Sequence, residues 1–579
     1  MNQYASENLD QSWQGLAPFK PEDIFAGSLF RTPFFYGFDE TLLDVYDDER
    51  VASISLDPGA GRESWLIGPK TAPPRGSNAF AVAPERSDDE TTRLVINSHQ
   101  PMTGPVAWWE AHMVSEEGLD IHGGVFPGSP SILHGFNRYL GWANTVSKPD
   151  LADVYVLTLN PDDPNQYQLD GEWVDLEVET AKLAVKLWGP FALTVKREVL
   201  ASEHGPALRT ETGTYAIRYA GMGAMRQTEQ RMRTAKARNW DEFYAAMAIH
   251  AVPALNYIYA DRDGVVALIH NGQYPDRVAG WDWTKDLPGD RSNLIWPGYL
   301  PYDRVPILRN PQSGLIFDAN NEPFSATDGP DNLRPEMFAR SMGLQTDQTN
   351  RSLRIMELTD GITPITREAL LALKFDNTYA QGSVADQTVQ AVLAEDWSAD
   401  PAMQAAADHL AAWSYGTGKT DRHAALGVLT TIHSVTEKLT GIPAPSPADA
   451  FRQAVTYLDT HYGRIDPEWG EINRLVRGDV SLPVSGGPDI LRAIYPAEIG
   501  DNGILKANAG DTWIALVEWD AEGNQTAEVV HQYGAATLDE TSPHYADQAP
   551  LFANEEWRPA LLTREDVEAN AARTYRPGR

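Results

Sequence analysis

An α+β fold is predicted for this 579-residue chain by the way its patterns are segregated. Short runs of strand character crowd residues 77 to about 340, a helical block fills about 350–470, and strand character returns over 493–535. A regular strand–helix alternation is missing, which argues against a doubly wound parallel sheet. Hydrophobic residues make up 42% and aromatics 10%, enough for a substantial core, so a disordered chain is excluded. At roughly 150 residues per domain the length suggests about four domain-sized units, or one large enzyme.

The elements follow in order. Pro21-Glu22-Asp23-Ile24-Phe25 reads as a helix start, with proline and acids in the first turn. Residues 68–76 are rich in Pro and Gly and read as an exposed linker. Ala79–Val82 and Arg93–Asn97 read as two strands joined by a charged turn, Glu85 to Glu90. Leu255–Ala260 and Val265–His270 flank Asp263-Gly264, the signal of a hairpin. Ser446-Pro447-Ala448-Asp449 predicts a helix with a serine cap and proline at its first position. Thr563-Arg564-Glu565-Asp566 opens a terminal helix.

Composition excludes several functions. Lys+Arg 47 against Asp+Glu 81 leaves a net charge of −34, a surface that repels phosphate backbones and anionic membranes. Nucleic acid and membrane are therefore not expected as partners. The absence of cysteine removes disulfides, Cys–zinc sites, Fe–S ligation and Cys nucleophiles. No apolar run is long enough for a transmembrane helix, and the first residues carry no basic-then-apolar leader. Gly-x-Ser-x-Gly, His-Glu-x-x-His, a P-loop and a dinucleotide fingerprint are all lacking, and the 13 histidines show no zinc-ligand spacing.

The most informative segment is Gly76-Ser77-Asn78-Ala79-Phe80-Ala81-Val82, where a Gly–Ser bond joins the linker to a strand. Read alone, it is a plain loop-to-strand boundary. A second reading is internal cleavage that makes Ser77 a new N-terminus. A serine hydroxyl needs a base, and an N-terminal serine carries one in its own α-amine, with a pKa of about 7.7–8.0. A small residue before it lets the hydroxyl approach the preceding carbonyl, as an N→O acyl shift requires.

Downstream motifs favour the second reading. Asn97-Ser98-His99, Gly141-Trp142-Ala143-Asn144-Thr145-Val146, Asn256 to Asp261, Gly272 to Arg277, Asn310 to Ile316 with Asn320-Asn321-Glu322-Pro323, and Ser542 to Gln548 follow in order. With these, the chain resembles the penicillin acylase family of N-terminal-nucleophile hydrolases from about residue 20 to about 553. The resemblance implies a four-layer αββα core carrying a largely helical insertion. It divides the chain into a short small-subunit segment 1–66, a spacer 67–76 and a large subunit 77–579.

By that resemblance Ser77 is the nucleophile and, through its amine, the base, with cleavage between Gly76 and Ser77. Val146 supplies an oxyanion-hole backbone N–H, and Asn320 the side-chain donor of the same hole. His99 orients the serine and amine, Arg351 lies near the amine, and Asn256 holds a substrate or amine hydrogen bond. The aligned acyl-pocket positions are Gln100, His134, Leu255 and Phe34 (or Phe35). A structural Ca²⁺ is implied, held by Asp150, the Ala152 carbonyl, Asp153, Asp331 and Glu40 (or Asp39). The partners implied are a small N-acyl amide substrate and the chain's own cleaved small segment, giving an αβ heterodimer. The location implied is periplasmic or secreted.

The chain departs from the family at its start. Only 76 residues precede Ser77, against roughly 150–200 in the family, so the resemblance implies either that the sequence starts late relative to the full gene or that the family's arm before residue 20, leader included, is missing. The short spacer resembles that of cephalosporin acylases. His134 stands where penicillin G acylase has an apolar residue, which argues against a phenylacetyl preference. The function expected is an amidohydrolase releasing the acyl group of a β-lactam side chain, an N-acyl homoserine lactone or a related acylated amine. The alternative is a truncated, non-catalytic remnant of the same scaffold.

Overall fold

The computed structural model describes residues 2–7, 18–47, 50–52, 54, 76–188, 191–499, 502–536 and 539–576. Apart from Gly76, the expected spacer 67–76 lies outside the described residues. Two sheets stack face to face. The first, of nine strands, has the central order Leu315–Asp318, Gly76–Val82, Thr92–Pro101, Leu505–Trp519. The second, of seven, includes Val266–Gly272, Ala254–Asp261 and Leu140–Thr145 side by side.

The layering follows from the period-two alternation of strand side chains. Ala79, Ala81, Leu94 and Ile96 of the first sheet pack on Ala143, Ile258, Ala260 and Leu268 of the second. On the outer face of the first sheet, Phe80, Val82, Val95 and Phe317 pack on Ile355, Leu370 and Leu373, from the helices Asn350–Thr359 and Arg367–Lys374. On the outer face of the second, Trp142, Tyr257, Tyr259 and Ile269 pack on Ala235, Phe243 and Met247, from the helices Gln227–Lys236 and Trp240–Met247. Helix, sheet, sheet and helix make the four expected layers.

The helical insertion is also present. Val384–Leu393, Pro401–Ala411, Ala424–Thr440 and Pro447–Tyr462 share one buried cluster. The predicted caps form: Ser446 accepts from the Asp449 N–H at 3.2 Å, and Thr563 from that of Asp566 at 3.1 Å. Two helices inside the strand-rich region, Gln227–Lys236 and Trp240–Met247, were not expected. Asn239 caps the second by accepting from Glu242 N–H at 2.9 Å. A separate six-stranded sheet includes the long hairpin Glu177–Trp188 and Phe191–Ser202. Among the described residues no helix is long and apolar enough to cross a membrane.

Candidate active site

Strand Gly76–Val82 pairs with Thr92–Pro101 so that Gly76 lies opposite His99 and Ser77 opposite Ser98. Its other neighbour pairs Asp318 with Ala79, which brings the turn after Asp318 level with Ser77. Alternation turns Ser77, Ala79 and Asp318 toward the second sheet and Asn78 toward the helix layer.

Ser77 is buried, and three of its atoms are engaged. Its Oγ donates to the Gly76 carbonyl oxygen. Its N–H donates to Asn320 Oδ1 at 2.6 Å, and its carbonyl accepts from Arg351 Nη1 at 2.6 Å. The hydroxyl therefore sits beside the peptide bond it would have to attack.

Asn320 has φ +63°, a left-handed conformation that asparagine tolerates better than most residues. Its N–H donates to Asp318 Oδ1 at 2.9 Å, and Gln345 Nε2 donates to its carbonyl at 3.1 Å. Two donors, Ser77 N–H and Arg351 Nη2 (3.0 Å), converge on Oδ1, which settles the orientation of the amide. Nδ2 then donates to the Val146 carbonyl at 2.8 Å. With the Gly76–Ser77 bond intact, the expected oxyanion donor is thus engaged by Val146.

Arg351 lies in the first turn of the helix Asn350–Thr359. Thr349 caps that helix by accepting from Ser352 N–H at 3.1 Å, and donates to the Ala319 carbonyl at 3.1 Å, tying the helix start to the Asn320 turn. Arg351 as a whole is 1% exposed. Besides Ser77 and Asn320 it donates to Asn78 Oδ1 at 2.9 Å, and through Nε to Asp489 Oδ1 at 2.9 Å. One planar fork thus links the Ser77 carbonyl, Asn78, Asn320 and Asp489, which a lysine could not do.

His99 is fully buried, its Nε2 3.1 Å from Asp511 Oδ1. Burial lowers its pKa to about 4, outweighing Asp511, so the ring is neutral at neutral pH. Burial pushes Asp511 up, but Lys374, His99 and Arg492 hold it well below the usual carboxylate range. Asn256 pairs with Thr145 across the second sheet and faces the space between the sheets.

The remaining expected positions divide. Phe34 lines a cavity of 290 Å³ together with Val146, Asn320 and Arg351, a volume near the lower bound for small-molecule sites. Phe35 stacks on Phe126. His134 stacks on Trp108 at 4.3 Å between ring centroids and lies 3.2 Å from Ser98 Oγ, the residue opposite Ser77. Gln100 is buried opposite Gly510. Leu255 is one residue out of phase with the inward-facing Asn256 and packs against the cluster that holds Trp142, Phe243 and Tyr257.

Among the expected calcium ligands, Asp150, Ala152 and Glu40 border a common cavity. Asp153 and Asp150 share one guanidinium: Arg277 Nη2 meets Asp153 at 2.9 Å and Nη1 meets Asp150 at 3.3 Å. Burial pushes both carboxyls up although Arg277 pulls them down, which disfavours two bare negative charges side by side. Asp331 stands elsewhere. It accepts from the Gln312 N–H at 2.8 Å, beyond the Leu315–Val82 end of the strand pair, opposite the Asn320 end. Among the described residues no three His, Cys, Asp or Glu side chains converge as a metal site.

Sequence reasoning missed Asp318, Asp489 and Asp511. Only Asp489 had a local signal, following the turn sequence Gly486-Gly487-Pro488.

Comparison with known proteins adds the following. The penicillin amidase family model matches residues 2–569, a wider span than the motifs alone. The acyl-homoserine lactone acylase PvdQ of Pseudomonas fluorescens (strain Pf0-1) is 23% identical over 595 residues, covering 92% of this chain and 74% of that protein. The penicillin G acylase of Escherichia coli is 28% identical over 299 residues, covering 50% of this chain and 33% of that protein. Among solved structures, the thermostable penicillin G acylase from Alcaligenes faecalis superimposes with a TM-score of 0.62 at 18% identity, over 86% of this chain and 99% of that one.

Proposed function

The chain belongs to the penicillin amidase family, and from that premise we propose that it is a self-activating acylase whose nucleophile is Ser77. The observation that carries the proposal is the junction itself: Ser77 Oγ on the Gly76 carbonyl, Ser77 N–H on Asn320 and Ser77 carbonyl on Arg351.

The chemistry balances in two stages. In the first, Ser77 Oγ attacks the Gly76 carbonyl carbon, the C–N bond breaks, and the hydroxyl proton ends on the Ser77 nitrogen. Water then hydrolyses the resulting ester, leaving a Gly76 carboxylate and a free N-terminal serine. In the second, the α-amine takes the Oγ proton, through a bridging water, as Oγ attacks an acyl amide. The proton passes to the departing amine, and water releases the acid. Val146 N–H and Asn320 Nδ2 would stabilise the oxyanion, a single donor being worth about 3 kcal/mol. Asn320 Nδ2 would leave the Val146 carbonyl to do so. His99, neutral and fixed beside Asp511, would act by position rather than charge.

The substrate would be an N-acyl amide: a β-lactam side chain, an N-acyl homoserine lactone or a related acylated amine. The names of the relatives above support both ends of that range. The two fragments would stay together as a heterodimer in a periplasmic or secreted location. Calcium belongs to the same proposal. Asp150, the Ala152 carbonyl, Asp153 and Glu40 would hold it, supported by the cavity that Asp150, Ala152 and Glu40 border together, and it would be structural.

The test is a panel of N-acyl amides varying in chain length and polarity, with free amine measured. Wild type should release amine from at least one, and Ser77→Ala from none. Turnover by Ser77→Ala equal to wild type would refute the assignment, and a wild type inert on the whole panel would favour the non-catalytic remnant.

A further inference from the structure

Asp318 closes the strand Leu315–Asp318 and is fully buried between the two sheets. Three donors converge on it. Thr145 Oγ1 reaches Oδ1 at 2.5 Å, the Asn320 backbone N–H reaches the same oxygen at 2.9 Å, and Asn256 Nδ2 reaches Oδ2 at 3.1 Å. Thr145 is the residue before Val146, Asn256 is its cross-strand partner, and Asn320 is held by the turn that follows Asp318. One side chain therefore ties Thr145 and Asn256 of the second sheet to the Asn320 turn of the first.

Ionised, a carboxylate only accepts. This has a consequence for Asn256. With Nδ2 committed to Asp318, its Oδ1 is turned away, is buried, and accepts from no described residue. An amide at position 318 would offer one acceptor oxygen in place of two. Its NH₂ would then face either Asn256 Nδ2 or the Thr145 and Asn320 donors, and Asn256 would flip to present a donor where it now leaves an acceptor.

We propose that Asp318 is a positioning residue for the Ser77 reaction: its carboxylate holds Asn320, Thr145–Val146 and Asn256 in register and fixes which end of the Asn256 amide is left open. This rests on the reading of Ser77 as nucleophile. Burial pushes the Asp318 carboxyl up to about 6 against the pull of Thr145, the Asn320 N–H, Asn256 and Arg351. The charged or titratable groups facing it are Arg351, from the helix Asn350–Thr359, and Glu322, from the turn beyond Asn320. Thr145 and Asn256, from the second sheet, contribute only neutral donors.

The test is Asp318→Asn, compared with wild type at pH 8 and pH 5. At pH 8 both self-cleavage and kcat on the best amide of the panel should fall at least about tenfold, with KM within about threefold. The melting temperature should change little, because the relief of a buried charge offsets the donor left facing a donor. At pH 5, where the wild-type carboxyl is itself largely neutral, the two proteins should converge to within about threefold. Equal rates at pH 8, or the same deficit at both pH values with a lower melting temperature, would overturn the proposal in favour of a merely structural role. If wild type neither cleaves nor turns over, the Ser77 reading is what fails. A crystal structure of Asp318→Asn then decides on its own: Asn320 displaced from Ser77 N supports the proposal, and an unchanged 2.6 Å contact overturns it.

Discussion

Replacing Gly76 by alanine probes the junction with one methyl group. A Cβ at this position would lie 2.8 Å from His99 Nδ1, and 3.3 Å from both Arg351 Nη2 and Asn320 Oδ1. The first distance is about 0.6 Å short of the 3.4 Å at which ordinary contact begins. None of the three neighbours yields readily. His99 is fully buried against Asp511, Arg351 is pinned by Asp489, and Asn320 is held at both ends of its amide. The strain therefore falls on the scissile carbonyl, which must move relative to Ser77 Oγ. A displacement of about 1 Å in a reacting geometry costs on the order of 10²-fold, so about half that predicts cleavage slowed roughly 10- to 100-fold. In barrier terms this is about 1.4–2.7 kcal/mol. Once cut, residue 76 belongs to the other fragment, so kcat per cleaved molecule should stay within about twofold of wild type. The assay is a time course of intact mass after synthesis, followed by turnover of the fully cut protein. Cleavage of Gly76→Ala at the wild-type rate would refute the reasoning.

Three further outcomes are expected. His99 has a folded pKa of about 4 against 6.5 unfolded. The unfolded state then binds more protons between those values, so stability present above pH 6.5 is lost as pH falls toward 4. His99→Gln should remove about 3 kcal/mol of that acid dependence in urea titrations, and an unchanged slope would contradict the burial argument. Arg351→Lys keeps the charge but offers one nitrogen to four acceptors, Ser77 O, Asn78, Asn320 and Asp489. Cleavage should slow by about 10²-fold and the melting temperature should drop. Removal of calcium by a chelator should lower the melting temperature, with one ion per chain by elemental analysis beforehand. No ion and no shift would count against the metal.

Much of the fold could be read from local signals whose physics is local. Asp263-Gly264 turns the hairpin, Ser446 and Thr563 cap their helices, and the apolar residues of Gly76–Val82 alternate between two buried faces. The helices at 227–247 escaped because their first half, Gln227–Lys236, is polar and gives no apolar period, although the Asn239 cap was visible in the sequence. Ser77 and Asn320 stand in legible motifs and Arg351 follows from the family resemblance, and the fold brings them together at the ends of paired strands and a capped helix. Their supporting acids were not legible in this way. Asp489 lies 138 residues from Arg351 in sequence, and in a chain with 81 acids a solitary aspartate carries no mark of its partner. Which face of the strand Ala254–Asp261 a residue takes is set by register, so Leu255 and Asn256, adjacent in sequence, point to opposite sides.

The central claim is that Ser77 becomes an N-terminus by cleavage at its own peptide bond, and the intact mass of the purified protein tests it most directly. The account predicts two fragments, the larger beginning at Ser77, and a single chain for Ser77→Ala. An uncut wild-type chain, or a Ser77→Ala protein cut at the same bond, would contradict it.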